Sequence, residues 1–145
     1  MRTPPTAFLA IAAVVLLGGC GDGQAPVGGG AAGALGTAVV HITSAQQFDT
    51  LVAASAMPVI VDFSASWCPP CKQFAPVLER FAAEHSGTVT ALSVDVEEVR
   101  ELGGRFQVEF MPTVVRLVHG KEDARFVGAK NAEELTAWYA SGRAP

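Results

Sequence analysis

The sequence has few of the residues that metal sites and nucleic-acid interfaces require. Its 145 residues include only three cysteines and three histidines, and the histidines stand singly along the chain. A structural zinc site takes about four nitrogen or sulfur ligands, so one pair of cysteines supplies half a site. No run of lysine or arginine occurs, and the net charge is −4. These absences argue against zinc, against nucleic acid and against a polybasic lipid-binding patch.

A long hydrophobic run that could cross a membrane is also missing. Residues 7–19 form an uninterrupted stretch of thirteen apolar residues and glycines behind Arg2. A membrane-spanning helix needs about 20 such residues, whereas the apolar region of a signal peptide needs only about 7 to 15. The sequence therefore predicts a signal peptide over residues 1–19.

Cys20 follows this stretch directly. The sequence Leu17-Gly18-Gly19-Cys20 resembles the processing box of bacterial lipoproteins, in which the cysteine becomes the lipidated N-terminus. The alternative is an ordinary signal peptide in which Cys20 is incidental. We favour lipidation and expect residues 20–37 to be the lipidated cysteine and a flexible tether rich in glycine and alanine. This predicts an exported protein, lipid-anchored to a bacterial membrane, with its domain facing the periplasm or the cell exterior.

The remaining residues, 38–145, have the apolar periodicities of a folded domain. A continuous apolar run at residues 59–63 indicates a strand buried on both faces. Helical spacing follows Ser44, Cys71 and Asn131, and Ser44 and Asn131 are suited to cap helices. We predict strands at 38–42, 59–63, 88–96, 113–118 and 125–127, and helices after residues 44, 68, 96 and 131. The order βαβαβαββα implies an α/β domain with a mixed sheet covered by helices.

The hexapeptide Trp67-Cys68-Pro69-Pro70-Cys71-Lys72 lies at a predicted strand-to-helix junction. At the first turn of a helix, Cys68 meets unpaired backbone N–H groups and the positive end of the helix dipole. Both favour the thiolate, which is the attacking species in disulfide exchange. Cys71 lies one helical turn later, close enough to resolve a mixed disulfide at Cys68. Pro69 and Pro70 are tolerated in this turn because its N–H groups lack helical partners anyway.

The cysteine pair has two other interpretations. It could be half of a zinc site, or a structural disulfide. A bridge across two residues closes a very small loop, so it would stabilise the fold little by the chain-entropy argument. Redox chemistry is the interpretation that we favour for Cys68 and Cys71.

From Ala38 to about Gly142 the chain resembles thioredoxin. The resemblance rests on motifs in the family's register, listed here: Val61-Asp62-Phe63, Trp67-Cys68-x-Pro70-Cys71-Lys72, Ala75-Pro76, Met111-Pro112-Thr113, Gly120 and Val127-Gly128-Ala129. It implies the thioredoxin fold, a central mixed five-stranded sheet flanked by four helices. Three departures from the family pattern are visible. Pro69 stands where the family usually has glycine, Ser64 where it usually has tryptophan, and Ser93 where it has a lysine whose charge neighbours the buried acid.

The resemblance also implies roles for individual residues. Cys68 is expected to be the nucleophile, Cys71 the resolving thiol, and Asp62 the buried acid that handles the proton of Cys71. Burial predicts a raised pKa for Asp62. The Met111-Pro112 bond is expected to be cis. The expected substrate-docking residues are Trp67, Met111, Pro112, Thr113 and Gly128. No metal and no cofactor other than the Cys68–Cys71 disulfide is implied.

Three functions are compatible with these residues. The favoured one is a reductase of disulfides in extracytoplasmic proteins, acting as a monomer on disulfide-containing or dithiol proteins and re-reduced by a membrane electron donor. The second is a thiol oxidase of opposite redox poise. The third is a redox-silent binding module that uses the thioredoxin groove, against which the retention of both cysteines and Asp62 argues.

Overall fold

The computed structural model describes residues 39–142. The predictions for the signal peptide, Cys20 and the tether fall outside these residues. The elements run, in chain order, β1 (Val40–Ile42), α1 (Ala45–Ala54), β2 (Val59–Ser64), α2 (Pro69–Glu84), β3 (Thr90–Asp95), α3 (Arg100–Arg105), β4 (Thr113–Val118), β5 (Lys121–Val127) and α4 (Ala132–Ser141). None of the helices within this part of the chain is both long enough and apolar enough to cross a membrane.

The five strands form one mixed sheet in the order β1-β3-β2-β4-β5. Strands β1 and β2 both pair with β3 in parallel, whereas β4 is antiparallel to β2 and to β5. The predicted mixed five-stranded sheet with four helices is confirmed. Strand β2 lies at the centre, and its first five residues are buried, as the continuous apolar run predicted.

The core lies on both faces of the sheet. Val61 and Phe63 of β2 pack with Phe48 of α1 on one face. Ile60 of β2 packs with Phe74 of α2 on the other face. Successive strand residues point to opposite faces, so β2 contributes to both clusters and fixes the start of the helix that follows it.

The predicted helix caps at Ser44 and Asn131 are present. The Ser44 hydroxyl accepts a hydrogen bond from the Gln47 N–H at 3.2 Å, while the Gln47 side chain accepts one from the Thr43 N–H at 2.8 Å. Asn131 and Glu134 form a reciprocal capping box, with both hydrogen bonds at 2.9 Å. Each pair satisfies backbone donors that a helix leaves without partners.

The β4–β5 hairpin is tighter than the sequence suggested. The predicted strands end at residue 118 and resume at residue 125, but only His119 and Gly120 form the turn, and β5 begins at Lys121. Both turn residues have positive φ, +51° and +75°, which is the geometry of a two-residue hairpin turn. The first three residues of β5 are charged and exposed, so they resemble a loop in sequence. An edge strand tolerates such charges, which also block pairing with other chains.

Other element boundaries also differ from the prediction, and for two of them the cause is visible. Strand β3 starts at Thr90, because Thr88 closes the end of α2 through hydrogen bonds to the His85 carbonyl. Helix α3 starts at Arg100 and not directly after β3, because the Asp95 carboxylate binds the N–H of Glu97 at 2.8 Å. Helix α2 runs through Pro76 without ending.

Candidate active site

The two cysteines lie at the start of α2, directly after the turn that follows β2. Cys68 is the N-cap of α2, and its N–H donates to the Ala65 carbonyl at 3.0 Å, which closes the connecting turn. Pro69 and Pro70 occupy the first two helical positions. Cys68 and Cys71 are joined by a disulfide, with their Cα atoms 5.3 Å apart. The structure therefore shows the pair in its oxidised form.

The sulfur of Cys68 sits at the N-terminus of the helix. It accepts a hydrogen bond from the Cys71 N–H at 3.3 Å. A backbone donor at a helix N-terminus stabilises negative charge on the sulfur once the disulfide is reduced. The geometry that the sequence predicted for a reactive Cys68 is present.

Exposure does not distinguish the two cysteines. Cys68 is 3% exposed and Cys71 is 4% exposed, and both pack with Ala65 and Met111. The indole of Trp67 lies beside them but is 59% exposed. The disulfide is thus covered by apolar side chains at its edges, and Trp67 projects from the surface next to it.

Four of the five predicted docking residues, Met111, Pro112, Thr113 and Gly128, lie at the start of β4 and the end of β5, whereas Trp67 precedes Cys68. The Met111-Pro112 bond is cis, as predicted. The Pro112 carbonyl accepts a hydrogen bond from the Gly128 N–H at 2.8 Å, and Gly128 has a φ of +91°. Thr113 is buried, and its hydroxyl donates to the Phe110 carbonyl at 2.6 Å. Thr113 therefore holds the backbone that precedes Met111, while Met111 itself contacts the cysteine cluster.

Asp62 lies in the middle of β2 and is 3% exposed. Its Oδ1 atom has no hydrogen-bond partner within residues 39–142, and burial raises the pKa of Asp62 from its ordinary value of 3.8 to about 7. The cause is desolvation, which penalises the charged form. In the sheet Asp62 pairs with Ser93 of β3. Serine carries no positive charge, so this neighbour does not offset the lost hydration of the carboxylate.

A surface recess connects Asp62 to the active-site turn. It has a volume of about 300 Å³, and Asp62, Ser93 and Cys71 all line it. A water molecule occupies roughly 30 Å³, so the recess is large enough for water to carry a proton between the Cys71 sulfur and the Asp62 carboxyl. The structure brings together Cys68, Cys71 and Asp62, the three residues predicted to act in catalysis.

Comparisons with known proteins agree with this geometry. A family model described as Thioredoxin matches residues 39–141. The chain belongs to the thioredoxin family. The thioredoxin of Mycobacterium tuberculosis is 41% identical over 99 residues, which cover 68% of this chain and 84% of that protein. Thioredoxin-2 of Saccharomyces cerevisiae is 39% identical over 94 residues, which cover 65% of this chain and 89% of that protein.

Solved structures show the same relationship. The Plasmodium falciparum thioredoxin superposes with a TM-score of 0.65 at 30% identity, covering 70% of this chain and 98% of that one. The Malassezia sympodialis thioredoxin superposes with a TM-score of 0.64 at 29% identity, covering 73% and 92%. Thioredoxins reduce disulfides in protein substrates through their own cysteine pair and need no cofactor. This chain is accordingly a thioredoxin-like disulfide oxidoreductase. Residues 39–142 contain no cluster of three or more His, Cys, Asp or Glu side chains that could hold a metal ion.

Two residues of this thioredoxin site were missed by the sequence analysis. Asp95, at the carboxyl end of β3, accepts a hydrogen bond from the Ser66 N–H at 2.9 Å and so holds the active-site turn. Its position at the end of a parallel strand next to β2 was the available signal, because ligand and active-site groups gather at that edge. Phe110, directly before Met111, is 66% exposed. A large apolar residue in a predicted loop was the signal for it.

Proposed function

We propose that this protein is a lipid-anchored, thioredoxin-like reductase that reduces disulfides in extracytoplasmic proteins. The observation that carries the redox part is the placement of Cys68 as the N-cap of α2, with Cys71 one turn later beside the recess that contains Asp62. Export and anchoring are supported by the sequence of residues 1–20 alone.

The reaction has two exchange steps. The Cys68 thiolate attacks one sulfur of the substrate disulfide, forms a mixed disulfide and releases the other substrate sulfur as a thiolate. Cys71 then loses its proton to Asp62 through water and attacks the Cys68 sulfur. The substrate leaves with both of its own cysteines reduced. Two electrons have passed from this protein to the substrate, and the Cys68–Cys71 pair is now the disulfide seen in the structure.

Substrate docking is supported by the backbone around Met111. Within residues 39–142, neither the N–H nor the carbonyl of Met111 makes a hydrogen bond, although Met111 packs against both cysteines. An extended substrate segment can pair with these groups as an added strand. Such pairing would bring a substrate disulfide next to Cys68, between Trp67 and the turn at Gly128.

The direction of electron flow requires a donor. Extracytoplasmic compartments favour disulfides, so a reductase there must be returned to its dithiol form after each cycle. We propose that a membrane protein carrying a reactive dithiol supplies the two electrons by attacking the Cys68–Cys71 disulfide. Anchoring through Cys20 would keep the domain close to such a donor.

The test is to express the full chain in a bacterial host, separate membrane from soluble fractions and trap the thiols with an alkylating reagent. We expect a lipid-modified N-terminus at Cys20 by mass spectrometry, location in the membrane fraction and a largely reduced cysteine pair. Cys20→Ala should make the protein soluble without changing disulfide reduction by the purified chain. An unmodified N-terminus beyond Cys20 would contradict the anchor. A fully oxidised pair in growing cells would contradict the reductase and favour the oxidase.

A further inference from the structure

The large apolar side chains that are most exposed in residues 39–142 gather around the disulfide. They are Trp67, Phe110 and Val127, with exposed fractions of 59%, 66% and 56%. Trp67 precedes Cys68, and Phe110 precedes Met111, which packs against both cysteines. Val127 pairs across the β4–β5 ladder with Thr113. Exposed apolar groups that cluster at one place mark an interaction surface, whereas isolated ones are normal.

Hydrogen bonds fix the backbone on both sides of Phe110. Its carbonyl accepts the hydrogen bond from the Thr113 hydroxyl at 2.6 Å. Two residues before it, the Val108 N–H donates to the Gly103 carbonyl at 2.9 Å, and the Val108 side chain packs against the core. The side chains of Val108 and Met111 therefore point into the protein, whereas the ring of Phe110 points to solvent.

We infer that Phe110 determines substrate specificity, favouring substrates with a bulky apolar side chain within about two residues of the attacked cysteine. This inference rests on the proposed function, because it requires an extended substrate segment paired with Met111. A strand advances about 3.3 Å per residue. A substrate side chain opposite Phe110 therefore lies within one or two residues of the substrate residue that pairs with Met111, next to Cys68. Burying the exposed ring against an apolar partner is favourable, and a polar partner gains nothing there.

The experiment compares two disulfide-bridged peptides that are identical except for leucine or serine at one position beside a cysteine, with that position scanned over two residues on each side. We expect the reduced wild-type protein to favour the leucine peptide by roughly tenfold in kcat/KM at one or more positions, mainly through KM. Phe110→Ser should reduce this preference to about twofold or less, chiefly by raising KM for the leucine peptide. Phe110→Leu should retain most of the preference. Ala53→Ser, an exposed change on α1, is the matched surface control and should behave as wild type.

Reaction with the small reagent dithiobis(nitrobenzoic acid) separates the possible failures, because this reagent reports the reactivity of the cysteines without peptide docking. If the variants react with it as wild type does and reduce the leucine and serine peptides with the same ratio as wild type, the role of Phe110 is wrong and the proposed reductase stands. If the wild type shows no preference at any position, the role of Phe110 is wrong as well. If the reduced wild-type protein reacts with the reagent but reduces neither peptide, the proposed function fails and the inference fails with it.

Discussion

Replacing Asp62 with alanine should make the protein more stable at neutral pH and less active. Asp62 is buried, its Oδ1 atom lacks a partner in the described part of the chain, and burial raises its pKa from 3.8 to about 7. A raised pKa means that the folded chain binds this proton more tightly than the unfolded chain does. The stabilisation from the bound proton is therefore complete below about pH 4 and is lost as the pH rises through about 7.

The size of the effect follows from the shift in pKa. The pKa of Asp62 is about three higher in the folded chain than in the unfolded chain, which corresponds to roughly 4 kcal/mol, because each pKa unit is worth about 1.4 kcal/mol. Alanine also removes packed atoms, at a cost of about 1 to 2 kcal/mol that does not depend on pH. We therefore expect Asp62→Ala to be less stable than wild type near pH 4 and more stable near pH 8. The difference in free energy of unfolding should change by roughly 4 kcal/mol between these two values.

Urea melts of the oxidised wild type and of Asp62→Ala, taken from pH 4 to pH 8, measure this directly. Asp62→Asn keeps the shape of the side chain, so the same pH dependence in both variants assigns the effect to the charge and not to lost packing. Reduction of a disulfide substrate at neutral pH should be slowed by up to about a hundredfold, because Cys71 loses its proton acceptor. A stability difference that stays constant to within about 1 kcal/mol across this range would refute the reasoning about the buried carboxyl.

Two further predictions concern the cysteine pair and the far end of the sheet. Cys71→Ser should accumulate mixed disulfides with substrate proteins while Cys68→Ser should not, because only Cys68 is expected to attack; equal trapping by both variants on non-reducing gels would contradict the roles. Arg116→Leu should lower the free energy of unfolding by roughly 1 to 3 kcal/mol, mainly because the buried Tyr139 carbonyl loses its donor. The buried guanidinium donates to both carboxylate oxygens of Asp123, at 2.8 and 2.6 Å, and to the Tyr139 carbonyl at 2.7 Å. A loss below about 1 kcal/mol in urea melts would show that these contacts contribute little.

Much of the fold follows from local patterns in the sequence. The continuous apolar run at residues 59–63 placed the central strand, because a strand covered on both faces has no polar side. Ser44 and Asn131 marked helix starts through side chains that accept backbone hydrogen bonds. The start of β5 was wrong because its charged residues lie on an exposed edge. Edge position is a property of the whole sheet, which no local pattern reveals.

The candidate site, too, could be predicted from the sequence only in part. The spacing of Cys68 and Cys71 and the cis bond at Pro112 were expected from motifs. The contact of Asp95 with the turn at Ser66 joins two residues that are 29 apart in sequence, and the pairing of β2 with β3 brings them together, so it could not be predicted locally. The exposure of Phe110 depends on Val108 and Met111 turning inward beside it. The roles of Asp62 and of the docking residues stay predictions until the variants are measured.

The most direct test of the proposed reductase is the reduction potential of the Cys68–Cys71 pair, measured by equilibration with mixtures of reduced and oxidised glutathione. A protein that donates electrons to substrate disulfides should have a potential near that of thioredoxins, about −270 mV, and at any rate below roughly −230 mV. The pair would then remain a disulfide in glutathione mixtures that reduce more oxidising pairs. A potential near −120 mV, which is characteristic of strong thiol oxidants, would contradict the reductase and reverse the direction of electron flow.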